Sequence, residues 1–241
     1  MRIVVLTGAG ISAESGVPTF RGGDGLWEGH RVEDVATPEA FERDPETVHA
    51  FYDRRRGSLA HVEPNAAHEA LARLESVVGE DLLVVTQNVD DLHERAGSTR
   101  VVHMHGELRR ALCLACGERP AWDGDLLPGP PCPVCGQLAL RPDVVWFGEI
   151  PYEMDRIERA VFACDLFASI GTSGEVYPAA GFAALARAAG ARTVELNLAP
   201  TRAVTASGAS VFDEVKEGPA TVVVPAWVDA LVGGIMGAPS R

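Results

Sequence analysis

Four cysteines carry the clearest chemistry in the sequence. Cys113 and Cys116 form one C-x2-C pair, and Cys132 and Cys135 form a second pair fifteen residues later. Two such pairs supply four thiolates, which close a tetrahedral Zn²⁺ site and leave no open position for a substrate. Disulfides and an iron–sulfur cluster are the alternatives. The spacing predicts one structural zinc ion.

A glycine-rich segment, Thr7–Arg21, follows the apolar run Ile3–Leu6. The run predicts a buried strand, and Gly8–Gly10 would let the backbone approach a ligand closely. The residues Ser12–Glu14 suit the start of a helix, whose first N–H groups favour phosphate. Pro18 predicts an early end to any regular helix. Glycines at such a turn can also serve a steric role alone, so both interpretations stay open.

Polar residues follow three further apolar runs. Gln87–Asp90 come after Leu82–Thr86, His105 lies just beyond Val101-Val102, and Gly171–Ser173 come after Leu166–Ile170. Open α/β sheets bind ligands beyond the carboxyl ends of their strands. A histidine there could act as a general base. Helix capping by the carboxylates and amides, or metal binding and core packing by the histidines, are the competing interpretations.

Tyr52 and Arg55 lie three residues apart on a predicted helix and therefore share a face. A phenol and a guanidinium could line a pocket for a carboxylate, which arginine binds bidentately. The run Arg54–Arg56 taken alone favours a solvated, basic helix end instead.

The elements that must position these groups alternate between strands and helices. This alternation predicts an α/β fold, a doubly wound parallel Rossmann-like sheet with a small Zn-binding insertion. The predicted strands are Ile3–Leu6, Leu82–Thr86, Leu166–Ile170, Thr193–Leu198 and Thr221–Val224. We expect a single domain, 1–241, with Rossmann-like parts at about 1–35, 80–105 and 150–241, a helical insertion at about 36–79 and a zinc module at about 106–141.

The charge balance limits the partners. Lys plus Arg number 21 and Asp plus Glu number 34, giving a net charge of −13. Nucleic-acid binding depends on neutralisation of phosphates by Lys and Arg, so we expect no such partner, whereas lysine-bearing peptides are compatible. No apolar run approaches a membrane span, and no signal-peptide pattern is present. We expect a cytoplasmic monomer.

Five motifs in this order resemble the sirtuins, which are NAD-dependent protein lysine deacylases. They are GAGISAESGVPTFR at 8–21, TQNVDDLHERAG at 86–97, HMHGEL at 103–108, the four cysteines, and GTSGEVYPAA at 171–180. The sequence is also similar to the branch of that family that removes acidic acyl groups and carries a Tyr-x-x-Arg pair, here Tyr52 and Arg55. Ala36 occupies the position where a small residue leaves room for a longer acyl chain. The resemblance therefore favours the carboxylate pocket over a solvated helix end.

The resemblance implies that NAD is consumed as a co-substrate. The acyl oxygen would attack the ribose carbon that bears nicotinamide, and free lysine, nicotinamide and O-acyl-ADP-ribose would be released. The catalytic residues would be His105, as general base, and Asn88. The residues placed around NAD are Gly8, Ala9, Gly10, Ser12, Ala13, Glu14, Phe20, Arg21, Trp27, Gln87, Asn88, Val89, Asp90, His105, Gly171, Thr172, Ser173, Asn197, Leu198, Ala199 and Ala220.

The resemblance also implies an acyl-lysine protein or peptide as substrate. Val144–Glu149 would pair with its backbone in β fashion. The predicted substrate residues are Tyr52, Arg55, Ala36, Val144, Val145, Phe147, Gly148 and Glu149. A mono-ADP-ribosyltransferase with the same NAD site, and a non-catalytic NAD-sensing module, are the alternative functions.

Overall fold

The computed structural model describes residues 1–19, 26–27, 29–201, 203–204 and 208–237. Phe20 and Arg21, predicted to contact NAD, lie outside these ranges. In chain order the first elements are β1 (Ile3–Thr7), β2 (Leu26–Trp27), β3 (His30–Arg31), α1 (Val32–Val35), α2 (Pro38–Arg43), α3 (Pro45–Ser58), α4 (Ala66–Val78), β4 (Leu82–Thr86) and α5 (Leu92–Arg95). The others are β5 (Val101–His103), β6 (Gly106–Cys113), β7 (Leu140–Val144), α6 (Met154–Ala163), β8 (Leu166–Ile170), α7 (Phe182–Ala188), β9 (Arg192–Asn197), β10 (Glu214–Glu217) and α8 (Ala220–Met236).

The main sheet has six strands in the order β10-β9-β8-β1-β4-β5, and every neighbouring pair is parallel. Helices α4 and α8 cover one face, where Leu71 and Trp227 are buried. Helices α6 and α7 cover the other face through Ile157 and Phe182. Strands β1, β4 and β8 are buried along their whole length, as expected of parallel strands covered on both faces. The predicted doubly wound parallel sheet is confirmed.

The prediction of a strand at Thr221–Val224 is wrong, because these residues lie in helix α8. Their β-branched side chains favour a strand locally, but Val224, Trp227 and Val228 recur at helical spacing and are buried. The sixth strand is β10, whose sequence EVKE is charged. Charged residues suit this position because β10 forms an edge of the sheet.

The predicted helix start at Ser12–Glu14 is also wrong. Two short 3₁₀ turns, Ala9–Ile11 and Ala13–Ser15, follow β1, and Gly16 ends the second with φ 93°. The early end that Pro18 predicted is therefore present, but the described residues that directly follow the glycines form 3₁₀ turns and not an α-helix.

Two helices of the helical insertion begin at side-chain caps. Thr37 Oγ1 accepts a hydrogen bond from Ala40 N at 3.1 Å and begins α2. Asp44 Oδ1 accepts one from Thr47 N at 3.1 Å and begins α3. Beyond the insertion, β6 and β7 form an antiparallel pair that carries the cysteine module. None of the helices in the described ranges is long and apolar enough to cross a lipid bilayer.

The segment after β7 differs from the predicted extended stretch. The strand ends at Val144, and Phe147 and Gly148 form a turn in which Gly148 has φ 93°. A β pairing along the whole of Val144–Glu149 is therefore not available to a peptide.

Gly8 and Gly10 bring the end of β1 against the turn that follows β8. A Cβ at Gly10 would lie 2.7 Å from Gly171 Cα, and one at Gly8 would lie 2.9 Å from Gly171 O. Backbone atoms cannot move aside as a flexible side chain can. The steric role that the sequence left open for these glycines is therefore real.

We expect Gly10→Ala to lower the free energy of unfolding by about 2 kcal/mol or more, because the methyl group overlaps backbone. Gly57→Ala is the control, since Gly57 lies in α3 and a Cβ there meets nothing within 4 Å. It should stabilise by about 0.5–1 kcal/mol through helix propensity. Urea unfolding of both variants measures the difference, and equal stabilities would contradict the steric account.

Candidate active site and metal centre

Ser12 lies at the carboxyl edge of the sheet, where it contacts three buried side chains. Its hydroxyl donates to Asp90 Oδ2 at 3.0 Å and accepts from Asn88 Nδ2 at 3.1 Å. The third contact is His68 Nε2, 3.4 Å from Ser12 Oγ. Because His68 Nδ1 accepts from Asn65 N at 3.2 Å, Nε2 carries the proton of the neutral ring. The structure thus joins predicted residues from the ends of β1 and β4.

Burial sets the charge of this cluster. It lowers the pKa of His68 to about 4, with Glu94 acting in the opposite direction, so the ring is neutral near pH 7. It also raises the pKa of Asp90, while hydrogen bonds from Leu92 N and Ser12 oppose the increase. The bond from Leu92 N to Asp90 Oδ1, at 3.2 Å, means that Asp90 also caps the start of α5. Capping of α5 by Asp90 is therefore compatible with a role of the same residue in binding a ligand.

His105 has the geometry of a general base. Its Nδ1 lies 3.2 Å from Gln87 O, and a carbonyl oxygen can only accept, so Nδ1 carries the proton. Nε2 then keeps its lone pair. Burial lowers the pKa of His105, and the Gln87 carbonyl raises it by less. The ring is consequently neutral and able to accept a proton near pH 7.

His103 is held differently from its neighbour. Its Nδ1 lies 3.1 Å from Asn88 O, and its Nε2 lies 2.8 Å from Glu94 Oε1. Burial alone would lower the pKa of His103, but the hydrogen bond and charge of Glu94 outweigh it and raise the pKa. Both ring nitrogens of His103 are thus engaged within the protein, which does not favour metal binding by the histidine pair.

Thr172 connects the ends of three strands. Its hydroxyl accepts from Gln87 Nε2 at 3.1 Å, and its carbonyl accepts from Asn197 Nδ2 at 2.8 Å. In the same turn, Ser173 Oγ accepts from Glu175 N at 3.3 Å. These bonds hold the Gly171–Ser173 turn at the edge formed by β4, β8 and β9.

Three predicted NAD residues make contacts within the protein or remain exposed, and their contacts with NAD stay predictions. The Glu14 carboxylate accepts from Thr221 N at 3.0 Å and from Thr221 Oγ1 at 2.7 Å, so it caps α8 beside Ala220. Leu198 is 69% exposed beyond the end of β9. Trp27 packs on α3, where its ring centroid lies 5.1 Å from that of Phe51. Trp27 thus packs beside the predicted acyl residues Tyr52 and Arg55.

Tyr52 and Arg55 are buried on α3, so the interpretation of a solvated helix end is wrong. The Arg55 guanidinium carbon lies 4.2 Å from the centroid of the Trp27 ring, a cation–π contact. Burial raises the pKa of Tyr52 to about 12, and the charge of Arg55 acts in the opposite direction. The Tyr52 ring centroid lies 6.4 Å from that of Trp27, so the phenol and the guanidinium border the same indole. Arg56, the next residue, instead makes a buried ion pair with Asp53 at 2.6 Å.

The segment after β7 links this pair to the proposed base. Val145 N donates to His105 O at 2.9 Å, and Phe147 N donates to Ala36 O at 3.0 Å. Between them, Trp146 Nε1 donates to Tyr52 Oη at 3.0 Å. Ala36 and Tyr52 belong to the same buried cluster as Trp146. Trp146 is the residue that the sequence analysis missed.

Glu149 is engaged within the protein. Its two carboxylate oxygens accept from Arg141 Nη1 and Nη2 at 2.7 and 2.8 Å. One of them also accepts from Trp146 N at 2.8 Å. The Glu149 side chain therefore supports Trp146, and its predicted contact with the peptide stays a prediction.

The four cysteines converge as the spacing predicts. Their sulfur atoms all lie within 4.8 Å of one another, with Cys113 and Cys135 3.6 Å apart and Cys116 and Cys132 3.9 Å apart. A tetrahedron of Zn–S bonds of about 2.3 Å separates its sulfurs by about 3.8 Å. The donor set therefore fits one zinc ion, held by protein ligands alone. Its chemistry is structural.

Removal of zinc should unfold the cysteine module, because ligand binding and local folding are coupled. We expect Cys116→Ser to lose bound zinc and to lower Tm by several degrees, as about 1 kcal/mol corresponds to about 2–4 °C at this length. Cys164→Ser is the control, since the Cys164 thiol donates to Val161 O far from the module in sequence. It should retain one zinc per chain by elemental analysis. Metal-free protein with unchanged Tm and activity would contradict the structural role.

The fold and site together define a Rossmann-like α/β domain with a polar ligand edge and a structural zinc module. The Sir2 family model matches residues 8–178. An NAD-dependent protein deacylase of Escherichia coli (strain K12) is 55% identical over 237 residues, 97% of this chain and 83% of the relative. The chain belongs to the Sir2 family.

Solved structures agree. A Sir2 homologue–NAD complex is 41% identical with a TM-score of 0.85, over 98% of this chain and 91% of that chain. A mutant Sir2 homologue–ADP-ribose complex is 39% identical with a TM-score of 0.88, over 99% of this chain and 95% of that chain. The resemblance seen in the motifs is thus confirmed over nearly the whole chain.

Proposed function

We propose that this chain removes acyl groups from protein lysines with NAD as co-substrate, and that it prefers acyl groups that carry a carboxylate, such as succinyl. The deacylase activity is that of the Escherichia coli relative, 55% identical over almost the whole chain. The observation that carries the acyl preference is the buried pair Tyr52 and Arg55. A guanidinium and a phenol in a desolvated pocket favour a carboxylate strongly.

The proposed base is His105. Bound NAD would supply the ribose carbon from which nicotinamide is displaced. The chain's own part is to accept a proton at His105 Nε2, the ring nitrogen that the Gln87 bond leaves unprotonated. Ser12, Asn88 and Asp90 form a hydrogen-bonded cluster at the same edge of the sheet. We assign them to holding the ribose and the nicotinamide amide.

Positioning of the acyl group falls to the helical insertion. Ala36 belongs to the cluster that contains Tyr52, where its small side chain would leave room for the acyl chain. Its carbonyl accepts a hydrogen bond from Phe147 N in the segment after β7. Val144 and Val145 offer a short backbone edge to the peptide. We further propose a single catalytic domain that works as a cytoplasmic monomer without nucleic acid. The net charge of −13 supports the last point.

The test compares succinyl- and acetyl-lysine versions of one peptide at saturating NAD. We expect kcat/KM to be higher for the succinyl peptide by about tenfold, because a charge-assisted pair contributes about 1.5–3 kcal/mol. Reactions without NAD should release no free lysine. An equal or lower value for the succinyl peptide would contradict the acyl preference and leave the deacylase activity standing.

A further inference from the structure

A buried hydrogen bond between Trp146 and Tyr52 leaves the Tyr52 hydroxyl proton free for another acceptor. An indole N–H can only donate, so in the 3.0 Å contact between Trp146 Nε1 and Tyr52 Oη the phenol oxygen is the acceptor. The Tyr52 hydroxyl proton must therefore point away from Trp146. No described residue accepts a hydrogen bond from it, and the neighbouring Arg55 guanidinium has no acceptor to offer.

The Trp146 side chain is held in place by its neighbours, so its N–H keeps pointing at the Tyr52 oxygen. Its side chain is 2% exposed, and the Arg141 guanidinium carbon lies 3.7 Å from the centroid of its ring. Arg141 is held in turn by both carboxylate oxygens of Glu149, and one of these, Oε2, also accepts from the Trp146 backbone N–H. Contacts to the face of the indole and to the backbone N–H of Trp146 thus hold this residue in one position.

Tyr52 remains a donor over the whole physiological pH range. Burial raises the pKa of its hydroxyl to about 12, and Arg55 lowers it by less. A protonated phenol beside a guanidinium presents two donors to one ligand group. A carboxylate accepts from both, whereas an acetyl methyl group accepts from neither.

We infer that Trp146 is a specificity-determining positioning residue, which turns the Tyr52 proton toward the carboxylate of a bound acyl group. The inference rests on the proposed acyl preference and adds a residue that acts through Tyr52 without touching the acyl chain. Loss of the indole N–H would leave the Tyr52 hydroxyl free to rotate. The hydrogen bond from this hydroxyl to the carboxylate would then be weaker, because the donor is no longer oriented in advance.

The experiment is a double-mutant cycle on the matched succinyl and acetyl peptides. Tyr52→Phe removes the hydroxyl, Trp146→Phe removes the N–H but keeps an aromatic ring, and the double variant combines them. Trp122→Phe is the matched control, because the Trp122 Nε1 is buried without a hydrogen-bond partner among the described residues. Melting temperatures of all four variants report folding.

We expect Tyr52→Phe to lower the succinyl-to-acetyl ratio of kcat/KM by about tenfold and Trp146→Phe to lower it by about threefold to tenfold. The loss should lie in KM for the succinyl peptide, since the carboxylate contact is made equally in ground and transition state. In the double variant, Trp146→Phe should change the ratio no further. Trp122→Phe should leave the ratio at the wild-type value.

Two outcomes would overturn the inference. A Trp146→Phe variant that keeps the wild-type succinyl-to-acetyl ratio would show that the indole only supports the fold. An equal fall in kcat for the two peptides would show the same. Additive effects in the double variant would show that Trp146 does not act through Tyr52. By contrast, an unchanged ratio in Tyr52→Phe itself would contradict the proposed acyl preference, so the two failures are distinguishable.

Discussion

Substitution of His105 by Gln is expected to lower kcat for deacylation by about 10²–10⁴-fold, the usual contribution of a general base. The glutamine keeps a polar side chain of similar reach but offers no nitrogen lone pair to accept a proton. The affinity for NAD, measured by calorimetry, should change little, because the predicted NAD contacts are spread over several strand ends. Steady-state assays with an acyl-lysine peptide measure the loss.

The controls for His105 are its neighbour and the pH profile. His103→Gln should have a smaller effect, since both ring nitrogens of His103 are engaged by Asn88 O and Glu94. Burial lowers the pKa of His105 below 6.5, so the acid limb of kcat/KM should lie below pH 6.5. Below that pKa the ring is protonated and cannot accept. Retention of more than a tenth of the activity in His105→Gln would contradict the assignment.

Substitution of Arg55 by Met should lower the succinyl-to-acetyl ratio of kcat/KM by about 10–100-fold. Methionine preserves much of the apolar length of the side chain but removes the charge, and a buried carboxylate without a counter-charge is strongly destabilised. The acetyl peptide has no charge to lose and should be affected less. Kinetics on the two matched peptides measure the ratio.

Arg54→Met is the matched control, because Arg54 lies beside Arg55 on α3 but is exposed. It changes the net charge by the same amount and should keep the wild-type ratio. A ratio that survives Arg55→Met, or one that falls equally in Arg54→Met, would be incompatible with a specific acid pocket.

Much of the fold could be predicted because its strands are locally distinctive. β1, β4 and β8 are continuous apolar runs that end in glycine or polar residues, as buried parallel strands do. The cysteine spacing likewise fixed the metal module. Helix α8 could not be predicted from its β-branched start, since burial of Val224 and Trp227 decides its conformation. The charged edge strand β10 lacked the apolar pattern on which strand prediction depends.

Site residues that come just after a strand could be predicted from the sequence. Contacts between residues that are far apart in the sequence could not. Asn88, Asp90 and His105 follow β4 and β5 directly. Trp146 and Tyr52 are 94 residues apart, and neither residue type signals the hydrogen bond between them. The position of Trp27 against Arg55 depends in the same way on tertiary packing.

The most direct test of the account is the mass of the products formed from a succinyl-lysine peptide and NAD. We predict free lysine peptide, nicotinamide in equal amount, and a succinyl group carried on ADP-ribose. Nicotinamide should not be released without the acylated peptide. A peptide that gains ADP-ribose while keeping its succinyl group would instead identify an ADP-ribosyltransferase, and NAD binding without nicotinamide release would identify a non-catalytic module.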